Sequence, residues 1–306
     1  MAIGDLEPVP DSTDLYYLDT GMYDIEGYGS VYVLDAERPA VVDTGIGTNR
    51  EHLFDALDAL GIGADDLAYI LPTHIHLDHA GGAGYLAEAY PEATVLTHEI
   101  GVPHLVDPSK LVAGTKAAVD DQWEFYVEPK PVPEDRIEGL AGGETVDLGD
   151  RELDVTHAPG HAPHQVTFYD TADDVLFTGD SAGIWVPSMN EIRQTSPPSQ
   201  FDLEQCLDDA SAIVDRDPDT LCFGHFGPLA FETEYMENYK RTLVEWVEAV
   251  RQKRAELADD GAVIEFFEDH TDTAEAWGER KARDEERLNV KGVFGYLDYR
   301  AKQEAE

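Results

Sequence analysis

Between residues 12 and 229 the chain alternates short apolar, β-branched or aromatic runs with stretches of helical character. LYYLDT (15–20), SVYVLD (30–35) and AVVDTG (40–45) are broken by Gly, Asp or Pro and predict consecutive strands. Thr48 is placed to cap a helix running to about Leu60, with Gly61 and Gly63 beyond its end. LAYILPT (67–73) predicts a buried strand, residues 80–90 a short helix ending before Pro91, and ATVLTH (93–98) another strand. The second half has the same texture. ETVDLG (144–149), RELDVTHA (151–158), QVTFYD (165–170) and DVLFTGD (174–180) predict strands, a helix follows at about 201–215, and TLCFGH (220–225) predicts a last strand. Strand meanders interleaved with helices in two similar halves suggest two packed sheets with helices outside, but the periodicity by itself establishes only a mixed α and β, α+β-type, chain.

After Pro228 the texture changes. Tyr235, Tyr239, Leu243, Trp246 and Val250 recur every three or four residues within a segment rich in Glu, Lys, Arg and Leu, predicting an amphipathic helix over 232–258. Two further helices are predicted around 273–287 and 289–303. The division is therefore residues 1–229 as a catalytic domain and 230–306 as a C-terminal helical extension.

The charge balance is extreme, with 64 acidic against 21 basic residues and a formal net charge of −43, and twelve of the basic residues lie in 230–306. Such a surface repels itself unless salt screens it, and a Debye length near 3 Å at about 1 M salt does so. The composition resembles that of proteins from very salty cytoplasm. It argues against nucleic-acid binding, which calls for basic patches. No stretch has the length and apolarity of a membrane span, and the acidic N-terminus lacks a signal peptide's basic start and apolar core, so the expected location is cytoplasmic. Cys206 and Cys222 are expected as free thiols there.

The sharpest chemical signal is THIHLDHAGG at 73–82, with three histidines and an aspartate inside six positions directly after a buried strand. On extended backbone His74 and His76 project to one side, and Asp78 and His79, where the chain turns into a helix, can face a second point nearby. Imidazole and carboxylate together suit zinc or a similar borderline cation. Gly81 and Gly82 would let the backbone crowd the metals.

This HxHxDH motif resembles that of the metallo-β-lactamase superfamily, and further motifs of that family follow in order. THAPGH (156–161) resembles its second histidine motif, FTGD (177–180) its bridging-carboxylate motif, FGH (223–225) its final histidine motif, and VVDTG (41–45) its early Asp-Thr-Gly turn. The resemblance covers roughly residues 12–229. It implies a four-layer αββα sandwich whose site lies where the loops of the two sheets meet. It further implies a first metal on His74, His76 and His161, a second on Asp78, His79 and His225, Asp180 bridging them, and Asp43 supporting the site without binding metal. Two divalent ions, zinc foremost with iron or manganese as alternatives, would share a nucleophilic hydroxide. Asp180 and Asp78 would be the catalytic carboxylates, Asp78 by relaying a proton to the leaving group.

The expected substrate is a small ester, thioester or lactone, in the manner of members similar to glyoxalase II and the acyl-homoserine lactonases. Two alternatives are a persulfide dioxygenase-like oxidoreductase with one iron on His74, His161 and Asp180, and, against the charge, a nucleic-acid phosphodiesterase. His164 stands where many relatives have Gly and is a candidate cleft residue. The segment 181–200 follows Asp180 and reads as an irregular loop, which makes Trp185, Met189 and Arg193 candidates to touch substrate. His98, His104 and His157 read as supporting or packing groups, and His52 and His270 as surface residues. The aromatic and leucine positions of the C-terminal helices would serve a homodimer interface as well as an intramolecular one.

Overall fold

In the computed structural model, which describes residues 1–198 and 200–305, two sheets stack face to face. The first has seven strands in sequence order: β1 (Leu6–Pro8), β2 (Leu15–Asp19), β3 (Ser30–Leu34), β4 (Ala40–Val42), β5 (Tyr69–Leu71), β6 (Thr94–His98) and β7 (Ile137–Leu140). Strands β1 to β4 pair antiparallel, while β4 to β7 run parallel. Parallel neighbours need crossovers, here α1 (Arg50–Ala59), α2 (Leu77–Ala80) with α3 (Ala83–Ala89), and α4 (Val102–Val106) with α5 (Ser109–Val119).

The second sheet is built from β8 (Thr145–Asp147), β9 (Glu152–His157), β10 (Val166–Asp170) and β11 (Val175–Gly179). The hairpin β12 (Ile184–Val186) and β13 (Glu191–Arg193) stands apart from it, and β14 (Thr220–Phe223) and β15 (Gly227–Ala230) complete the sheet beside β11. Between and after these strands come α6 (Leu203–Arg216), α7 (Thr233–Leu257), α8 (Asp260–Asp269), α9 (Ala274–Trp277) and α10 (Glu279–Glu304).

The two-residue period of each strand divides its side chains between layers. In β3, Val31 and Val33 pack towards α1 and α3, whereas Tyr32 and Leu34 enter the space between the sheets. In β14, Cys222 points between the sheets while Leu221 and Phe223 pack against the outer helices. The central strands are thus covered on both faces, which is why they read as continuous apolar runs rather than alternating ones. Helix, sheet, sheet, helix gives the αββα sandwich.

Several elements differ from expectation. Asn49 rather than Thr48 precedes α1, and the Thr48 hydroxyl instead donates to the Phe125 carbonyl. The helix expected at 80–90 is split into α2 and α3 around Gly81 and Gly82. Those glycines accommodate neighbouring backbone, not metal: a Cβ on Gly82 would lie 2.5 Å from the Thr44 carbonyl oxygen. In place of the two helices expected at 273–287 and 289–303 there are a short α9 (Ala274–Trp277), ended at Gly278, and one long α10 that runs through the expected division. Asn289 sits inside it without breaking it, because its side chain is buried and bonded to Ser196 N (2.5 Å) and Glu285 (3.2 Å). Of the segment 181–200 expected as an irregular loop, residues 184–193 form a hairpin, and residue 199 lies outside the described residues.

The boundary expected at 229 falls at β15, but the helices beyond it share an apolar cluster with the sheet. Tyr239 and Leu243 of α7 and Val290 and Val293 of α10 pack with Leu176, Leu221 and Phe223. They form the outer layer of the second half of the sandwich. No helix among the described residues is long and apolar enough to cross a membrane.

Candidate metal centre

The candidate residues sit at the ends of strands along one edge of the sandwich. Asp43 follows β4, the run from His74 to His79 follows β5, His161 lies between β9 and β10, Asp180 follows β11 and His225 follows β14. Strands β11 and β14 are parallel neighbours, so Asp180 and His225 leave the sheet side by side. Asp43 turns out of β4 at φ 61°, a left-handed conformation that Asp tolerates better than most residues.

The donor atoms converge in three overlapping groups: His74, His76 and His161; His74, His79 and Asp180; and Asp78, His79 and His225. His76 Nδ1 lies 3.1 Å from both His74 Nε2 and His161 Nε2. His79 Nε2 lies 3.2 Å from His225 Nε2. Asp180 faces both sets, with Oδ1 3.3 Å from His79 Nε2 and Oδ2 3.3 Å from His161 Nε2. Asp78 Oδ2 is 3.6 Å from His225 Nε2. Ligand atoms about 2.0–2.1 Å from a tetrahedral cation lie roughly 3.3 Å apart, so these spacings are those of donors around an ion.

The outer atoms fix which nitrogens face inward. His79 Nδ1 is held by Asp43 Oδ2 (2.9 Å), His225 Nδ1 donates to the Tyr28 carbonyl (3.0 Å), and Thr73 Oγ1 lies 3.2 Å from His74 Nδ1. Asp43 Oδ1 in turn accepts from the Thr73 amide (2.8 Å) and hydroxyl (2.9 Å). Such outer partners orient metal-binding imidazoles. Gly224 leaves room for the arrangement, since a Cβ there would come within 2.5 Å of the His79 ring. Asp180 Oδ1 is a buried oxygen with no well-aligned hydrogen bond, its nearest donor being His79 Nε2 at 3.3 Å. A buried carboxylate left in that state is costly unless a cation completes it, so the residues fit divalent metal ions.

Electrostatics point the same way. Burial, assisted by the neighbouring rings, pushes His74 well below the usual imidazole range; burial also lowers His76 and takes His161 down to about 3. Burial would raise Asp180, but His79, His161 and His225 outweigh it and hold the carboxyl below its usual range; His225 and His79 do the same for Asp78. Burial would lower His79, but Asp180 and Asp43 hold it well above the usual range. The two carboxylates and the three imidazoles of the first triad are thus in the protonation states that cations require. His79 and His225, both raised by Asp180 and a second carboxylate, would instead each give up a proton on binding one.

Five of the donors, His76, Asp78, His161, Asp180 and His225, form the floor of a cleft of about 590 Å³. One wall is α5, through Leu111 and Ala118; another is α10, through Lys281, Glu285 and Leu288. Tyr23 and Tyr126 line it with their hydroxyls 2.5 Å apart, and Tyr28 packs on the His225 ring with centroids 5.0 Å apart. His164 lines the cleft, where burial and the neighbouring histidines push it down to about 2, so its ring is neutral. His104, expected to support or pack, also lines it.

Trp185 and Arg193 do not line the cleft. Alternation along β12 sends Ile184 and Val186 to the cleft side and Trp185 into the apolar layer beneath α7, edge-on to Tyr235 (5.9 Å). Arg193 is bound to Asp272 (2.5 Å) and Glu191 (3.3 Å). Met189 packs against the cluster around Tyr23 and Trp277. His98 and His157 stack on each other, centroids 4.1 Å apart, away from the donors. Sequence reasoning missed the Tyr23–Tyr126 pair, Tyr28 and the buried Lys281–Glu285 pair. Only the cleft brings the tyrosines together; Lys281 and Glu285, four apart on α10, carry the spacing of a helical ion pair but nothing local that marks it as buried.

A family model for the metallo-β-lactamase superfamily matches residues 24–225. The chain belongs to that superfamily. It is 28% identical over 222 residues to the metallo-β-lactamase fold-containing protein ST1585 of Sulfurisphaera tokodaii, covering 70% of this chain and 78% of the relative. It is also 27% identical over 202 residues to the acyl-coenzyme A thioesterase MBLAC2 of Gallus gallus, covering 59% of this chain and 69% of that one. Among solved structures, ST1585 from Sulfolobus tokodaii superposes with a TM-score of 0.71 at 23% identity, covering 92% of this chain and 99% of that chain. The metallo-β-lactamase family protein TTHA1429 from Thermus thermophilus gives 0.62 at 21% identity, covering 98% and 93%.

Proposed function

We propose that the protein is a hydrolase that cleaves an ester, thioester or lactone with two divalent cations, zinc or a similar ion. The observation that carries this reading is Asp180, whose two oxygens each lie 3.3 Å from a donor nitrogen of a different triad. His74, His76 and His161 would hold one ion, Asp78, His79 and His225 the other, and Asp180 both. Bound there, the cations supply Lewis acidity and bring the pKa of water towards neutrality.

The protein's own groups do the rest. The apolar wall of α5 receives the acyl or leaving portion and excludes water from it. His164, neutral at the cleft surface, is placed to hydrogen-bond the substrate beside the first triad. Asp78, the most accessible of the carboxylates among the donors, carries a proton to the leaving group. A relative of similar sequence is an acyl-coenzyme A thioesterase, which favours the thioester within this class.

The test is a panel of esters, thioesters and lactones given to protein of known metal content. About two divalent ions per chain and turnover of one substrate class, lost in Asp180→Ala, is the expected result. One iron per chain, no hydrolysis, and oxygen uptake with a persulfide would replace this reading with the single-iron oxidation.

A further inference from the structure

The chain has eight lysines. Five are paired with carboxylates: Lys116 with Glu128, Lys130 with Glu88, Lys240 with Glu237, Lys253 with Glu256 and Lys281 with Glu285. Lys110, Lys291 and Lys302 have no carboxylate within 4.0 Å among the described residues. In a chain with 64 acids and 21 bases, a base without an acidic partner is the uncommon case. Two of the three line the metal-site cleft from different walls, Lys110 from α5 and Lys291 from α10.

The carboxylates of the cleft are otherwise engaged. Asp78 and Asp180 belong to the donor set. Glu285 takes Lys281 Nζ (2.8 Å), the Tyr28 hydroxyl (2.9 Å) and Asn289 Nδ2 (3.2 Å). Asp107, near Lys110 in sequence, accepts the Ser109 amide (3.1 Å) and feels the Lys110 charge from beyond ion-pair distance. The cleft therefore combines a metal-donor floor, apolar wall residues including Ile75, Leu111 and Leu288, and two ammonium groups with no carboxylate at ion-pair distance among the described residues. An ammonium is a compact point charge with three donors, suited to carboxylate or phosphate.

We infer that the substrate carries an anionic group, a carboxylate or a phosphate, remote from the scissile bond and received by Lys110 and Lys291. The inference rests on the hydrolase reading and narrows it to anionic esters or thioesters. The anion has two possible sources, an acid-terminated acyl chain or a phosphorylated leaving group.

Two matched pairs of substrates separate them: p-nitrophenyl butyrate against the p-nitrophenyl monoester of glutarate, and the butyryl thioester of N-acetylcysteamine against that of coenzyme A. In at least one pair the charged member should have the higher kcat/KM. The double variant Lys110→Glu/Lys291→Glu should lower that charged-over-neutral ratio by about tenfold through KM, since exposed ion pairs each contribute modestly to binding. Lys302→Glu, the same charge change away from the cleft, should leave the ratio alone, and 1 M salt should compress it. The pair that responds identifies the source.

A ratio near one in both pairs, or one unaltered in the double variant, overturns the inference while leaving the hydrolase reading intact. If no member of either pair is hydrolysed, that reading is what fails. The anion site is then judged by calorimetry with glutarate and coenzyme A: binding lost in the double variant upholds it, and no binding to the wild type overturns it.

Discussion

Asp43 Oδ2 lies 2.9 Å from His79 Nδ1, while the other oxygen of the same carboxylate holds the Thr73 amide at 2.8 Å. One side chain thus fixes both the ring that faces Asp180 and the start of the segment carrying four candidate donors. Asp43→Asn keeps an acceptor for Thr73 but removes the charge that holds the proton on His79 Nδ1. A 10–100-fold loss of metal affinity is expected, read by competition with a chromophoric chelator. Unchanged affinity would reduce Asp43 to a packing role.

Asp180→Ala should lower metal content and abolish hydrolysis, because no other carboxylate reaches both triads. His52→Ala should do neither. Elemental analysis of the two variants after identical purification decides the matter; a fully metallated, active Asp180 variant would refute the site.

Trp185 and Arg193 should behave as structural residues. Truncating buried Trp185 to alanine is expected to cost about 3–5 kcal/mol, seen as a fall in denaturation midpoint. Arg193→Ala removes ion pairs to two exposed acids, for which up to about 1 kcal/mol is expected. A rise in KM without loss of stability in either variant would return that residue to the cleft.

Glu286 is buried on α10 with Oε2 unpartnered, and burial raises its carboxyl from 4.5 to about 7. The unfolded chain gives up this proton from about pH 4.5, the folded one only near 7, so this group's contribution to stability falls as pH rises through that window. Glu286→Gln should therefore be more stable than wild type above pH 7, and the difference should shrink towards pH 5. Unfolding curves at pH 5 and 8 in constant salt measure it.

Much of the site can be read directly from residues 73–82, because strand alternation and the turn into α2 are local. His161, Asp180 and His225 lie far apart in sequence, and only the ordered motifs tie them to the same centre. Trp185 shows the limit: adjacency to Asp180 says nothing about which side of a hairpin a residue takes, and pairing of β12 with β13 turns it away from the cleft. Local preference divides α10 near Asn289, because an asparagine favours helix ends; its partners on Ser196 and Glu285 are supplied by the packed structure. The cleft walls are unreadable for the same reason, since α5 and α10 are separated by about half the chain and meet only in the fold.

The first sheet supplies Asp43 and the run from His74 to His79, and the second supplies His161, Asp180 and His225. Neither sheet alone offers a complete set of donors for either triad. An ion bound there is a clasp between the two leaves of the sandwich, and its affinity is also a measure of how firmly they shut. Mass action then makes the free cation concentration a control on unfolding, so a chelator that empties the site would also lower the stability of the sandwich.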